Sequence, residues 1–207
     1  MKKTQIFIGT LALALFLVAN NSFALSLGMY INLGGGSGEA EYDFTDSEEF
    51  DFDTGFFGLG FKFETDPLFK KRVFSYRFQA GIESRDIEGD ENETLELGGL
   101  VINNTFAFGR KTSETIYLWI GPQVSVGFYS GETDEEYLGD EISFSGVGVG
   151  IGVAGGANFK LGGGNTILTT TLGLRSVGFS GEAEWYAEDE DFKGNAAEVY
   201  LSLGIYF

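Results

Sequence analysis

The sequence has no histidine and no cysteine, and only two prolines among its 207 residues. Without cysteine there is no disulfide framework, which small secreted domains often need. Histidine is the usual near-neutral general base, so its absence argues against Ser-His and Asp-His catalytic sites. Metal sites with imidazole or thiolate ligands are excluded for the same reason. We therefore predict a protein that is not an enzyme and has no cofactor.

Basic residues are scarce as well. The chain has 13 lysines and arginines against 31 aspartates and glutamates, which gives a net charge of −18. Such a surface repels nucleic acid, whose binding needs a basic footprint, so we expect no nucleic-acid partner. A charge of this size also occurs in disordered chains, but here 43% of the residues are hydrophobic and they recur in a regular order that disordered segments lack.

Long apolar runs are missing after the amino-terminal segment. The run from Ile6 to Ala19 follows two lysines and is shorter than the roughly 20 residues that a membrane-spanning helix needs. Ser22-Phe23-Ala24 then has small residues at its first and third positions, which predicts a secretory signal peptide cleaved after Ala24. We expect a signal peptide over residues 1–24 and one domain over residues 25–207.

From residue 25 onward the chain shows alternation. Apolar residues alternate with polar or small ones at the period of two that is typical of strands with two different faces. The alternating segments are separated in turn by acidic stretches (46–53, 88–93, 132–141 and 188–191) and by short turns (66–72, 111–114 and 162–165). Short turns at one end and long loops at the other are typical of transmembrane barrels. We predict an all-β fold, an eight-stranded antiparallel up-and-down transmembrane β-barrel.

Three strands carry irregularities. In the first, the apolar parity changes between Gly34-Gly35-Gly36 and Ala40, which predicts a glycine-rich bulge that inserts one residue. In the seventh, the apolar positions switch near Arg175 to a set that begins at Val177. Pro122 lies inside the fifth strand and predicts a bulge or a missing ladder bond there.

The last strand has one wholly apolar face, formed by Val199, Leu201, Leu203, Ile205 and Phe207. With seven similar strands before it, the chain resembles the small outer-membrane β-barrels of Gram-negative bacteria, the group that contains OmpX, OmpW and the membrane domain of OmpA. The resemblance covers residues 25–207 and implies a location in the cell outer membrane. It also implies that these five residues are a sorting signal read by the barrel-assembly machinery. Ile205 departs from the family pattern, which often has tyrosine at that position.

The polar face of the alternation predicts the contents of the lumen. Eight charged residues fall on it, and we predict that they form internal ion pairs: Lys62, Glu64, Arg77, Glu83, Arg85, Lys160, Arg175 and Glu198. Both signs are present, which favours pairing over a pore ring of one sign. An eight-stranded barrel has room for packed side chains and little more. The glycine face of the sixth strand leaves space, however, so a narrow path stays open as an alternative.

Three acidic segments begin with the same Ser-Gly-Glu motif, at Ser37, Ser130 and Ser180. Carboxylate oxygens are ligands that Ca²⁺ and Mg²⁺ prefer, and these ions bridge lipopolysaccharide phosphates. A divalent-cation-binding surface is therefore one interpretation of the acidic loops. The other is a solvated rim that keeps the surface soluble. The spacing does not match an EF-hand loop.

These patterns favour a monomeric outer-membrane barrel with a structural or surface-interaction role and acidic extracellular loops. Its expected partners are outer-membrane lipid and lipopolysaccharide. One alternative is a narrow channel for small or hydrophobic solutes, similar to OmpW, and another is the divalent-cation-binding surface protein. A soluble lipocalin-like barrel is disfavoured because the outward faces consist of leucine, valine, isoleucine and phenylalanine.

Overall fold

The structure is a computed structural model that describes residues 26–42, 48–69, 73–89, 94–133, 143–162, 165–185 and 188–207. These residues form the strands β1 (Ser26–Tyr42), β2 (Glu48–Glu64), β3 (Phe74–Gly89), β4 (Thr94–Lys111), β5 (Ile116–Thr133), β6 (Ser143–Lys160), β7 (Ile167–Trp185) and β8 (Glu188–Tyr206). The described part of the chain has no helix that could span a membrane. The predicted signal peptide and its cleavage site at Ala24 lie outside the described residues.

The sheet closes on itself. Each strand pairs with the next in antiparallel order, and β8 pairs with β1 from Gly28↔Tyr206 to Tyr42↔Phe192. The amide of Phe207 donates to the carbonyl oxygen of Leu27 at 2.9 Å, which extends the seam. Closure gives every strand a partner on both sides, as lipid requires of a spanning sheet. The predicted fold class, an eight-stranded antiparallel up-and-down transmembrane β-barrel, is confirmed.

The outer surface changes character once along every strand. Near the short turns, each strand exposes large apolar side chains, which we call the apolar belt and which include Ile31, Leu59, Ile82, Leu100, Ile120, Ile151, Leu172 and Leu201. Toward the other end the exposed outward residues are mostly carboxylates, which we call the acidic tier: Glu39, Glu41, Asp51, Asp53, Asp86, Glu88, Glu96, Glu182 and Asp191. The belt is the lipid-facing surface, and the tier is a surface for water.

A ring of small residues separates these two surfaces. In every strand the first outward residue beyond the belt is glycine, serine or alanine. We call this ring the neck: Gly35, Gly55, Ser84, Gly98, Ser130, Ser145, Ser176 and Ala197. The change from lipid-facing to water-facing side chains therefore occurs at one step in each strand.

The strands are longer than a membrane crossing requires. They contain 16 to 19 residues. At about 3.4 Å per residue and a tilt of about 40°, such a strand rises roughly 45 Å, whereas the apolar band of membrane barrels is about 25 Å tall. The acidic tier is therefore a continuation of the barrel wall beyond the membrane.

The polarity of the buried side chains also changes at the level of the neck. Below the neck the buried residues include most of the polar and charged side chains, interleaved with an apolar cluster that is rich in aromatic residues. At the neck and above it the buried residues form an apolar cluster of Ala40, Phe52, Ile87, Leu97, Val101, Tyr129, Phe144, Val177, Phe179, Phe192 and Ala196. The upper part has an apolar core and a polar exterior, like a soluble barrel, because its outer solvent is water.

This inversion corrects the prediction of a bulge after Gly34-Gly35-Gly36. The register of β1 runs without an inserted residue from Ser26↔Glu64 to Tyr42↔Glu48. Ala40 is buried inside the barrel at 3% exposure, so the apolar residues there have moved to the inner face with no change of backbone phase. The switch near Arg175 has the same cause, since Val177 is also buried in the upper core.

Pro122 interrupts the pairing of β4 and β5 without shifting its register. The β4–β5 register is the same on both sides of Pro122, but Phe106 and Ala107 have no pairs. The ladder is therefore interrupted there, as predicted, and there is no bulge.

The acidic stretches predicted as loops are partly strand, since residues 48–53 belong to β2 and residues 188–191 belong to β8.

The belt and the acidic tier predict that one strand tolerates an added positive charge at one end and not at the other. Leu203, on the β8 belt, is 39% exposed, and Leu203→Arg should destabilise the barrel by about 2–4 kcal/mol because it places a cation near the middle of the lipid. Asn195→Arg lies on the same face of β8 beyond the neck and should change stability by less than about 0.5 kcal/mol. Urea unfolding in phospholipid vesicles measures both variants. Equal losses would contradict the assignment of belt and tier.

Candidate functional site

The polar interior below and at the neck is the candidate site, because it contains the buried charges. Seven of the eight predicted lumen residues lie inside the barrel with at most 6% exposure: Lys62, Glu64, Arg77, Glu83, Arg85, Arg175 and Glu198. Lys160 differs from them. It is half-buried at the end of β6. Neither Lys160 nor Lys62 makes an ion pair with the described residues, so the predicted ion pairs involve the other six.

Four of these residues form a central ring of alternating charge. The Arg85 guanidinium is 2.8 Å from the Glu83 carboxylate and also contacts Glu198. Arg175 is 2.6 Å from Glu198 and 3.8 Å from Glu83. Arg175 and Glu198 are direct cross-strand partners of β7 and β8, whereas Glu83 and Arg85 reach them from β3 across the lumen. The four charges sum to zero, so the ring neutralises itself.

Aromatic side chains surround the central ring. The Arg85 guanidinium lies 4.8 Å from the ring centroid of Phe56 and 5.1 Å from that of Phe179. Arg175 lies 4.9 Å from the same ring centroid of Phe56. Tyr129 donates from its hydroxyl to Glu83 at 3.0 Å. Desolvated guanidinium groups gain from such cation–π contacts, so the aromatic rings stabilise the buried cations.

A second charged cluster lies closer to the short turns. Arg77 contacts Glu64 at 2.7 Å and donates to Asn158 at 2.8 Å. Tyr206 donates to the same Glu64 oxygen at 2.8 Å, and Lys62 lies 4.6 Å from the centroid of the Tyr206 ring. Sequence reasoning missed Tyr206 and Asn158 because they are uncharged. Their inward parity near Glu64 was the signal that could have identified them.

Residues 66–69, which follow β2, lie in the mouth of the barrel at this end. Leu68 and Phe69 are buried at 6% and 8% exposure, and Asn158 donates to the carbonyl oxygen of Pro67 at 2.6 Å. The Phe69 ring occupies the space beside Gly109, where an added Cβ would lie 2.6 Å from it. This described part of the β2–β3 connection is therefore packed inside the mouth.

The inner face of β6 has no open groove, although its glycines suggested one. A Cβ at Gly148 would lie 3.1 Å from the Tyr129 ring and 3.2 Å from the Phe179 ring. At Gly156 it would lie 2.9 Å from the Trp119 ring. Large aromatic side chains from neighbouring strands thus occupy the space that glycine leaves, and the small and large residues are complementary.

The remaining predicted residues lie on the outside. Val199, Leu201, Leu203, Ile205 and Phe207 all face outward on β8 and at its end, and Phe207 is 68% exposed. Their role as a sorting signal stays a prediction. In the acidic tier, no group of three or more carboxylates among the described residues is arranged to hold a metal ion.

Comparisons with known proteins give structural matches only. No protein-family model and no curated protein matches the sequence. Similar solved structures include Neisserial surface protein A (10% identity, 84% of this chain and 95% of that chain, TM-score 0.33) and Ail of Yersinia pestis (11%, 84% and 98%, TM-score 0.35). The outer membrane protease OmpT of Escherichia coli is another (8%, 91% and 100%, TM-score 0.41). The closed eight-stranded barrel itself confirms the predicted fold, and similarity this distant carries no further argument.

The central ring predicts a large effect of removing one partner. Glu198→Ala leaves two buried guanidinium groups with one carboxylate between them, and it should lower the free energy of unfolding by about 3–5 kcal/mol. Lys160→Ala removes a cation outside the network and should cost less than about 0.5 kcal/mol. Urea unfolding in vesicles measures the difference.

Two further variants keep this test informative if Glu198→Ala does not fold. Glu198→Gln keeps the shape of the side chain and should show a smaller loss. The double variant Arg175→Met/Glu198→Leu replaces the pair by apolar groups and should be more stable than Glu198→Ala, since such replacements are often neutral. A Glu198→Ala protein as stable as the parent would contradict the network.

Proposed function

We propose that this protein is an outer-membrane β-barrel without enzymatic activity that presents an acidic barrel end outside the cell for contact with cationic partners. The observation that carries the proposal is the pairing of a filled lumen with a long, water-exposed acidic tier. The absence of histidine from the sequence supports a non-enzymatic role. In this proposal the outward face of the last strand is the segment that the barrel-assembly machinery reads.

We infer the orientation from how far the wall extends beyond the belt at each end. Outer-membrane barrels have their longer extensions outside the cell, and here the strands continue well beyond the belt on the acidic side, so in this proposal the acidic tier faces the cell exterior. Nine described carboxylates are exposed there, and Lys193 is the exposed base among them. A wall of one charge attracts cationic molecules over several ångströms without a fixed binding pocket. Broad electrostatic contact therefore accounts for the tier better than the chelation of an ion.

A narrow channel is the second candidate, and one observation favours it. Seven buried side-chain atoms of the described residues have no hydrogen-bond partner within the protein: Asn32 Oδ1, Glu64 Oε1, Arg77 Nε, Arg85 Nε, Trp119 Nε1, Arg175 Nη2 and Ser202 Oγ. Buried polar atoms of this kind are usually satisfied by internal water. Several of them lie below the neck, so a hydrated stretch there is compatible with a path.

Planar-bilayer recording separates the two candidates. The filled lumen predicts no steady conductance from the refolded protein, with a porin in the same membrane as the positive control. Migration on a denaturing gel with and without boiling verifies that the inserted protein is folded. A steady open state would reject the non-conducting role in favour of the channel.

The acidic tier predicts charge-dependent binding of a cationic probe. Oligolysine should bind to the refolded barrel in vesicles, and its affinity should fall roughly fivefold in Asp51→Asn/Asp53→Asn/Glu88→Gln, since exposed charge pairs contribute about 0.2–1 kcal/mol each. Fluorescence anisotropy of labelled oligolysine measures the affinity. Glu114→Gln, at the opposite end, is the matched control and should have no effect. The surface-interaction role would be rejected by binding that is insensitive both to the triple substitution and to 0.5 M salt, a concentration at which exposed charges are largely screened.

A further inference from the structure

The short-turn end of the barrel carries the opposite charge to the acidic tier. Arg110 and Lys111 end β4 and are exposed, and Lys160 ends β6 and is half-buried. None of the three makes an ion pair with a described residue. Glu114 is the exposed carboxylate of this end within the described ranges. This end therefore has a local excess of cations in a chain whose net charge is −18.

Hydrogen bonds of the β4–β5 turn fix the strand ends that carry these cations. The amides of Thr112 and Ser113 donate to the carbonyl oxygen of Ile116 at 2.9 and 3.2 Å, and the Ile116 amide donates to Ser113 Oγ at 3.1 Å. The Lys160 amide donates to the carbonyl oxygen of Thr115 at 2.8 Å. The end of β6 is therefore fixed beside the β4–β5 turn, with Arg110 and Lys111 on one side and Lys160 on the other.

Arg110 is continuous with the lipid-facing belt, whereas Lys111 and Lys160 lie beside it at strand ends, at positions of inward parity. Arg110 follows Phe108 on the outward face of β4, and Phe108 is 53% exposed. The cross-strand partner of Arg110 is Leu118, which is 45% exposed and also belongs to the belt. A side chain at this position lays its apolar stem along the belt and extends its guanidinium to the level of the headgroups.

We propose that Arg110, Lys111 and Lys160 form a binding surface for the headgroup of an anionic glycerophospholipid in the leaflet that surrounds the short turns. The proposal rests on the membrane insertion assumed in the proposed function. Guanidinium pairs well with phosphate oxygens because two donors fit two oxygens, and basic residues beside a membrane attract anionic lipids. Continuity with the belt favours a lipid over a soluble anion, since the bound molecule's acyl chains would lie on Phe108 and Leu118.

The experiment measures lipid selectivity directly. The barrel is refolded into phosphatidylcholine membranes, and spin-labelled phosphatidylglycerol and phosphatidylcholine are compared by electron paramagnetic resonance. We expect phosphatidylglycerol to associate about threefold more strongly or better, from the attraction of basic residues to anionic lipid. The ratio of phosphatidylglycerol to phosphatidylcholine association should fall to one in Arg110→Gln/Lys111→Gln/Lys160→Gln. Lys193→Gln, on the acidic tier, should keep it. If the triple variant does not fold, the three single variants should each show a partial loss.

Two results would overturn the proposal. One is a preference for phosphatidylglycerol that survives the triple substitution, and the other is loss of the preference on addition of soluble glycerol phosphate, which would assign the surface to a free phosphate. Heat-modifiable migration of each variant verifies the fold. The outcome is independent of conductance: a conducting barrel that prefers phosphatidylglycerol would reject only the proposed function, and a non-conducting barrel without the preference would reject only this inference.

Discussion

The hydrogen bonds between β1 and β8 are the constraint on which the rest of the molecule depends. In lipid an open sheet edge has no water to satisfy its amides and carbonyls, and each unsatisfied group costs several kcal/mol. The pairing of Gly28 with Tyr206 and the bonds that follow it remove both edges. Once the sheet is closed, each residue faces either the lumen or the surroundings. The chemistry of every position is then decided by which of these it faces and by how high along the wall it lies.

Height matters because the surroundings change from lipid to water while the wall stays the same. Below the neck, apolar side chains face lipid, and the interior holds charges that must be paired. Above it, carboxylates face water and the interior is an apolar core. The charged ring of Glu83, Arg85, Arg175 and Glu198 lies close to this change of level. It is compatible with its setting because the four charges cancel and aromatic side chains enclose them. One barrel therefore combines the inside of a membrane protein with that of a soluble one.

Much of the fold could be predicted from the sequence, because alternation at a period of two reports strands and their faces. Alternation does not report which face is inside. Ala40 and Val177 looked like residues that had changed phase, although the solvent outside had changed and the register had not. The inward positions of Arg175 and Glu198 follow from parity, but their contact with Arg85 required closure, since β3 and β8 face each other only across the finished lumen. Lys160 had the inward parity too, and it differs because it is the last residue of β6 and lies beside the β4–β5 turn.

The unbroken register through the neck has a mechanical consequence. The small residues at the neck narrow the side-chain layer without interrupting the hydrogen-bonded wall, and the β1–β8 register has no inserted residue on either side of Gly35. The wall therefore has no joint at the membrane surface. A force applied to the acidic tier would tilt or rotate the whole barrel within the lipid, and the parts above and below the neck would move as one rigid body.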